Sequence, residues 1–258
     1  MTEISDQALV AVTTMKHDTS NKLGWGPELR KKMGYFTPDD QYEGLLYSLV
    51  KDETDWLDVG CGRDIFPSNY RCAKYLSDKC NILVGVDPSG NIWENDLVHE
   101  KHQSDMESFC TDRKFDLITL RMVAEHVANP DAFVQKLAEL AKPNGEVGLY
   151  TVYKWAPSSI AAALTPLSTH HKIKKILWGT EEKDTFPTKY KMNTRRVLRE
   201  VFSKNGFLET QWIRLDDCRM FGSYKALNSF ELYLWKFLKK FGIPYPEYCI
   251  AGVYKKNK

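Results

Sequence analysis

Apolar residues recur along this chain in two alternating rhythms. Short, near-continuous apolar runs stand at 56–60, 82–87, 115–120 and 146–152, as strands buried on both faces require. Between them the apolar spacing widens to three and four, the helical period. That spacing predicts a helix over about 68–79. It predicts another after Asn129-Pro130, with Phe133, Leu137, Leu140 and Ala141 on one face. A short irregular helix should follow the second strand, with a third strand near 101–105, and Pro143-Asn144-Gly145 reads as the turn before Glu146. Alternation of this kind builds a parallel sheet with helices packed on it.

Ahead of the sheet, Thr37 and Pro38 read as the N-cap and first residue of a helix that carries Tyr42, Leu45, Leu46 and Leu49 as one stripe. Residues 1 to about 22 are polar without a clear period and are expected to fray. Gly24-Trp25-Gly26-Pro27 breaks any helix there, and Pro27 can begin a new one running into Lys32. After Val152 the alternation stops until a helix at 193–204. A stretch of that length is too long for a bare loop, so 153–192 is expected to carry structure and to cover a substrate. Ser158–Leu164 and His170–Trp178 read as its helices, with Pro166 interrupting. Then come a strand at 207–215 and a helix at 228–241, amphipathic through Phe230, Leu234, Phe237, Leu238 and Phe241. A last strand follows at 249–254. The expected organisation is one domain over 1–258: a lid segment at 1–50, a core at 55–152, the insertion at 153–192, and the rest of the sheet at 193–258.

The first strand runs into Gly60-Cys61-Gly62, and the second ends in Asp87. Glycine accepts positive φ and lets a ligand lie against bare backbone. In an open α/β sheet ligands bind outside the carboxyl ends of the strands, where an acid closing the second strand can bond a ribose hydroxyl. The pattern therefore reads as a nucleoside-cofactor site. A dinucleotide fingerprint needs a third glycine, but Ile65 and Phe66-Pro67 follow instead. Asp58 sharpens the choice, because a carboxylate there repels a pyrophosphate and attracts an ammonium or sulfonium.

Leu57-Asp58-Val59-Gly60-Cys61-Gly62 resembles the glycine-rich first motif of class I S-adenosylmethionine-dependent methyltransferases. Val84-Gly85-Val86-Asp87, Ser104-Asp105-Met106-Glu107 and Phe115-Asp116-Leu117-Ile118-Thr119 are similar to that family's next motifs, in order. With Glu125-His126-Val127 after the fourth strand, the chain most resembles the bacterial small-molecule branch of the family, the type 11/12-like group. Asp184-Thr185-Phe186-Pro187-Thr188-Lys189-Tyr190 is similar to a segment that recurs in one bacterial subgroup. The resemblance implies a Rossmann-like, seven-stranded, mostly parallel sheet with helices on both faces, an antiparallel last strand, and a helical insertion after strand five. It implies S-adenosylmethionine as cofactor, S-adenosylhomocysteine as product, and no metal. It places Asp58 at the ammonium, Gly60 and Gly62 at the methionine and ribose, and Asp87 with Pro88 at the ribose diol. Asp105 and Met106 fall at the adenine, and Arg121 and Met122 at the sulfonium end. Arg63 can reach the methionine carboxylate or form a surface ion pair. Tyr35, Phe36 and Tyr42 are lid candidates or ordinary packing aromatics, and Asp87 and Asp105 each have a helix-cap reading.

Composition narrows the partners. The 258 residues are 43% hydrophobic and 27% charged with net charge +2, an ordinary globular balance and a weak attraction for nucleic acid or a membrane surface. No apolar run approaches a membrane span, no signal-peptide core is visible, and no membrane partner is expected. The six cysteines form no CxxC pair, which points to reduced thiols in a cytoplasm. Lys172, Lys174, Lys175, Lys239, Lys240, Lys255 and Lys256 alternate with apolar residues as a solvated face does. Leu120-Arg121-Met122-Val123 stands where nitrogen-directed enzymes carry Asn/Asp-Pro-Pro-Tyr. A small-molecule acceptor, methylated at oxygen, follows; an RNA or protein acceptor and a nicotinamide oxidoreductase are the alternatives. Oligomeric state has no signal.

Methyl transfer is an in-line displacement that needs a base only when the nucleophile carries a proton. His126, His170 and His171 are the candidates, since histidine titrates near neutral pH. His126 belongs to a motif common in the family and reads as mainly structural or cofactor-adjacent. His170 lies in the insertion, a few residues after Thr165-Pro166, where the resembling subgroup carries a histidine. Tyr153, Trp155, His171 and Tyr190 are the candidate acceptor contacts, and each aromatic has a core reading beside it.

Overall fold

The computed structural model describes residues 4–17, 24–157, 159–160 and 187–258. Seven strands form one sheet: β1 (Asp55–Val59), β2 (Ile82–Asp87), β3 (Glu100–Gln103), β4 (Phe115–Arg121), β5 (Ala141–Val152), β6 (Phe207–Asp216) and β7 (Glu247–Lys256), in the order β3-β2-β1-β4-β5-β7-β6. The first five run parallel, whereas β7 lies antiparallel to both β5 and β6. The order reverses between β1 and β4, which opens a crevice at their carboxyl ends. There Asp58 pairs with Gly85 on one side and Thr119 on the other.

Helices cover both faces. Leu57, Val59, Ile118 and Leu120 face a core closed by Phe133 and Leu137 of α5 (Pro130–Leu140) and Leu198 and Phe202 of α6 (Arg195–Lys204). Trp56 and Leu117 point the other way, toward Leu45 and Leu46 of α3 (Pro38–Leu49) and Leu76 of α4 (Tyr70–Lys79). The start of α3 is built as its sequence suggests: Thr37 accepts the Asp40 N–H, Asp40 accepts the Thr37 N–H, and Pro38 fills the first turn.

Four expectations are corrected. The N-terminal stretch expected to fray contains α1 (Asp6–Lys16), capped by Ser5. Its Val12 is fully buried against α3 and α4, and Lys16 bonds Asp40 at 2.7 Å. Its sparse apolar positions (Ala8, Leu9, Val12) suffice because they meet one ready-made groove. The helix expected to start at Pro27 begins at Trp25 as α2 (Trp25–Met33) and ends on Gly34 at φ 69°. Pro143-Asn144-Gly145 is a bulge inside β5, not a turn before it: Phe115 pairs with Ala141 and Leu117 with Glu146.

The fourth correction concerns α7 (Lys225–Lys240), which is longer than expected and turned on its axis. Phe230, Leu234, Phe237 and Phe241 are exposed, while Asn228, Glu231, Leu232 and Trp235 face inward. Polar bonds set that orientation. Trp235 Nε1 donates to Asp216 at 2.8 Å, Asn228 Nδ2 donates to the Cys218 carbonyl at 2.7 Å, and Tyr245 donates to Glu231 at 3.1 Å. Buried polar groups must be satisfied, and their demand outweighs the simple apolar stripe.

Candidate active site

The turn after β1 is held by backbone. Gly60 lies at φ 71° and Gly62 at φ 49°. The Gly60 N–H donates to the Val86 carbonyl at 2.7 Å, so the turn is tied to the end of β2. A Cβ at Gly60 would stand 2.4 Å from Val123 Cγ2, which leaves room only for glycine. Asp87 closes the arrangement: Oδ2 accepts the Gly62 N–H at 2.9 Å and Oδ1 accepts the Ser89 N–H at 2.7 Å. The two readings of Asp87 are thus compatible, because each oxygen keeps a further lone pair for a hydroxyl donor. Pro88 is exposed beside it. Ser104 N donates to the Asp87 carbonyl at 3.0 Å, which brings the end of β3 alongside.

Asp58 sits on the sheet face that α3 covers, 4% exposed. Thr119 donates its hydroxyl to Asp58 at 2.6 Å and itself accepts Trp56 Nε1 at 2.7 Å, so the carboxylate is fixed from the neighbouring strand. Burial pushes Asp58 up to about 7, against the Thr119 bond and the charge of Arg121. Tyr42 stacks on Tyr150 with ring centroids 5.0 Å apart. Its buried hydroxyl has no hydrogen-bond partner among the described residues. Tyr35 has the packing role: its hydroxyl accepts the Cys218 N–H at 2.9 Å and donates to the Asp216 carbonyl at 3.0 Å.

The remaining cofactor candidates divide. Arg63 pairs with Glu94 at 2.6 Å on the surface. Asp105 is exposed and accepts the Ser108 N–H at 2.7 Å, a cap that, with the Ser108 hydroxyl, holds its carboxyl below the usual range. Met106 buries its side chain in the core beside Phe109. At the tip of β4, Met122 takes φ 54° and donates its N–H to the Tyr150 carbonyl at 2.8 Å. Positive φ in a residue other than glycine is a strain typical of functional sites.

Next to Met122 lies a group that no sequence motif marks. Asp39, in the first turn of α3, pairs with Arg121 at 3.3 Å and with Arg219 at 2.8 Å, and the Tyr150 hydroxyl reaches it at 3.4 Å. Arg219 also grips Asp217 through Nε and a terminal nitrogen, at 2.8 and 2.7 Å. Burial favours the neutral acid at Asp39, but the two guanidinium groups outweigh it and hold the carboxyl below its ordinary value. The three residues are 82 and 98 positions apart in the chain, so local spacing carries no sign of the contact.

Beyond β4, Glu125 is buried and accepts the Thr151 hydroxyl at 2.7 Å, and Thr151 accepts Asn193 Nδ2 at 2.8 Å. Burial raises the Glu125 carboxyl. The Glu125 carbonyl accepts the N–H groups of Lys189 and Tyr190 at 2.6 and 3.1 Å, and His126 Nδ1 lies 3.2 Å from the Pro187 carbonyl. His126 and Tyr190 therefore share one wall. Tyr153 packs partly against the core, while Trp155 is exposed with the Lys154 ammonium 5.4 Å over its ring. His170, His171 and the helix expected over His170–Trp178 lie outside the described residues. Of the helix expected over Ser158–Leu164 only Ser159 and Ile160 are described, and they are helical, with the Ile160 N–H on the Ala156 carbonyl at 2.9 Å. Among the described residues no group of three His, Cys, Asp or Glu side chains could hold a metal ion.

The glycine turn, the Asp87 carboxylate facing it and the backbone-only clearance at Gly60 fit a nucleoside cofactor with a charged tail. Comparisons with known proteins agree. A family model described as a methyltransferase domain matches residues 28–210. The ubiquinone biosynthesis O-methyltransferase of Pasteurella multocida is 26% identical over 196 residues, 66% of this chain and 75% of that one. Among solved structures, a putative sarcosine dimethylglycine methyltransferase from Galdieria sulphuraria superposes with TM-score 0.54 at 14% identity, covering 90% of this chain and 98% of that one. The magnesium protoporphyrin IX methyltransferase of Synechocystis PCC 6803, solved with bound S-adenosylhomocysteine, gives TM-score 0.51 at 12% identity and covers 98% and 95%. At those identities the structures speak for the fold, and the family match carries the assignment: this chain belongs to the class I S-adenosylmethionine-dependent methyltransferases.

Proposed function

We propose that the protein methylates an oxygen, hydroxyl or carboxylate, of a small-molecule acceptor. The observation that carries the reading is the Gly60–Gly62 turn locked to Asp87 by the 2.9 Å bond, with the tip of β4 and the His126 wall beside it. The oxygen preference is supported by the curated relatives named O-methyltransferases and by Leu120-Arg121-Met122-Val123 in place of an amine-directed motif.

When bound, S-adenosylmethionine supplies a methyl carbon activated by its sulfonium. The chain's own residues then have separate tasks. Gly60 and Gly62 offer backbone, Asp87 accepts the ribose hydroxyls, and Asp58 receives the ammonium. Asp105 and the backbone of Met106 border the adenine. Arg63 and Pro88 lie at the edge of the turn, and Tyr42 and Met122 close the pocket from α3 and β4. Arg121 keeps its charge paired to Asp39, so that it does not oppose a sulfonium. Tyr153, Trp155, His171 and Tyr190 are assigned to the acceptor side. His170 is assigned as proton acceptor, with His126 as the second candidate. The Nδ1 of His126 lies 3.2 Å from the Pro187 carbonyl, which can only accept, so that nitrogen is the donor there. No described helix is long and apolar enough to cross a membrane. All six cysteines are free thiols, which supports a reducing, cytoplasmic setting.

The test is methyl transfer from S-adenosylmethionine to parallel panels of phenols, alcohols, carboxylic acids and amines, read as S-adenosylhomocysteine formed. Turnover on an oxygen panel is expected. Turnover confined to amines, or none with cofactor bound, would remove the oxygen reading.

A further inference from the structure

The outward face of α7 is a feature of the described residues that the methyl-transfer reading leaves unused. Leu227, Phe230, Leu234, Phe237 and Phe241 follow one another at spacings of three and four, so they form one continuous row. Phe230, Phe237 and Phe241 are 68%, 58% and 61% exposed. Tyr224 and Tyr233 flank the row, also exposed. Exposed apolar surface this continuous marks a place where something docks. Charge narrows what docks. Lys225, Lys236 and Lys240 are the charged groups that α7 presents away from its packed side, whereas Lys239 is exposed but lies 4.9 Å over the ring of inward-facing Trp235. The helix's single acid, Glu231, is 4% exposed and bonded to Tyr245 and Asn228. Between Arg219 and Pro246 there is no other acid.

An apolar row rich in phenylalanine beside lysines, with no exposed acid, has the chemistry of a helix that lies in the headgroup region of an anionic bilayer. A second copy fits less well. A two-fold contact sets the same patch against itself, which brings lysines toward lysines with no carboxylate to answer them. The position of the helix gives the docking a purpose. The connection that carries α7 leaves β6 at Asp216, and its Arg219 is bonded to Asp39, which in turn pairs with Arg121 at the tip of β4. The row therefore stands on the same end of the sheet as the cofactor crevice. We propose that α7 is a peripheral docking helix that seats the active-site end of the protein on an anionic membrane surface. The small net charge and the lack of a spanning helix, which argued against a membrane partner, report nothing about one local face.

Co-sedimentation of the full-length protein with vesicles tests this without requiring methyl transfer, so it stands or falls separately from the acceptor assignment. Vesicles of equal phosphatidylglycerol and phosphatidylcholine should carry down at least fivefold more protein than phosphatidylcholine alone, and the difference should shrink as salt is raised. Phe230→Ser with Phe237→Ser, and separately Lys236→Glu with Lys240→Glu, should each abolish the binding. Both variants should keep wild-type affinity for S-adenosylhomocysteine, which shows that they are folded. No binding of the wild type to either vesicle, or equal binding by the double serine variant, overturns the proposal. So does a dimer in light scattering that the double serine variant reduces to a monomer, since the face is then an interface between copies.

Discussion

Asp39 and Arg219, 180 positions apart in the chain, meet at 2.8 Å, and the same carboxylate reaches Arg121 at the tip of β4. One acid on α3 thus bridges two guanidinium groups at the rim of the cofactor crevice. Removing it takes the paired carboxylate from Arg121 while Arg219 keeps Asp217, and a cationic sulfonium should feel the exposed Arg121 charge where a neutral thioether does not. Asp39→Asn is expected to weaken S-adenosylmethionine by about 1–2 kcal/mol more than S-adenosylhomocysteine. Calorimetry with both ligands gives the comparison. Equal losses would mean that the network is structural only.

Asp58 should make cofactor binding depend on pH. Burial, partly offset by Thr119 and Arg121, pushes its carboxyl up to about 7, and burial likewise raises Glu43 to about 7 despite Lys16 and Asn69. A carboxyl whose folded-state pKa exceeds its unfolded value favours folding while it is protonated and costs stability as it ionises. Without ligand, stability to urea should therefore fall as pH rises from about 4 to 7. Cofactor affinity should move the opposite way, since an ammonium needs the ionised form. It should climb by up to about tenfold per pH unit below 7 and level off above it. Asp58→Asn should flatten that profile. A flat profile in the wild type would make Asp58 an interior anchor and nothing more.

Asp87 accepts the Gly62 and Ser89 N–H groups, so its loss should act on the turn as well as on the ligand that the turn holds. Asp87→Ala is expected to cost roughly 1.5–3 kcal/mol of S-adenosylhomocysteine affinity, the scale of hydrogen bonds to a charged group. Unchanged affinity would take Asp87 out of the ribose site.

Gly60 gives a stability test of the turn itself. Gly60→Ala adds a Cβ at 2.4 Å from Val123 Cγ2 at a φ of 71°, and overpacking of that kind costs about 1–3 kcal/mol. Adding Val123→Ala removes the contact but leaves the backbone strain. Thermal melts of the pair should show partial recovery. No recovery would place the whole cost in the backbone conformation.

Local signals were the legible ones. The glycine turn, the acids closing β1 and β2, and the Thr37-Pro38 cap each lie within a few residues, and each stands where its pattern put it. The contacts that cross the chain left no such trace. Asp39 reads as an ordinary first-turn acid until Arg121 and Arg219 are brought to it. Phe230 and Phe237 read as core because period alone cannot say which of two faces is inward. Here Asn228, Glu231 and Trp235 decide that question, through bonds to Cys218, Tyr245 and Asp216. Val12 shows the converse, a buried residue in a stretch too polar on average to announce a helix.

The base is the step on which the acceptor's chemistry turns. An ionised phenol or carboxylate needs no help, whereas an alcohol or neutral phenol needs a proton acceptor within hydrogen-bond reach. His170 is the assigned group because it lies in the one insertion long enough to line an acceptor pocket, after Pro166, which can turn the chain inward. General-base catalysis contributes ~10²–10⁴-fold, so His170→Ala should lower turnover on that scale and leave cofactor affinity unchanged. His126→Ala and His171→Ala are the matched controls. His126 is the rival at the end of β4, where its Nδ1 lies 3.2 Å from the Pro187 carbonyl. Turnover and cofactor affinity measured for all three variants separate the cases. Full turnover in His170→Ala, or a parallel loss of cofactor binding, refutes the assignment. A large loss confined to His126→Ala moves the proton acceptor to the end of β4. If all three keep full turnover, the acceptor reacts as its own anion, and the rate should follow that acceptor's pKa when substituted phenols are compared.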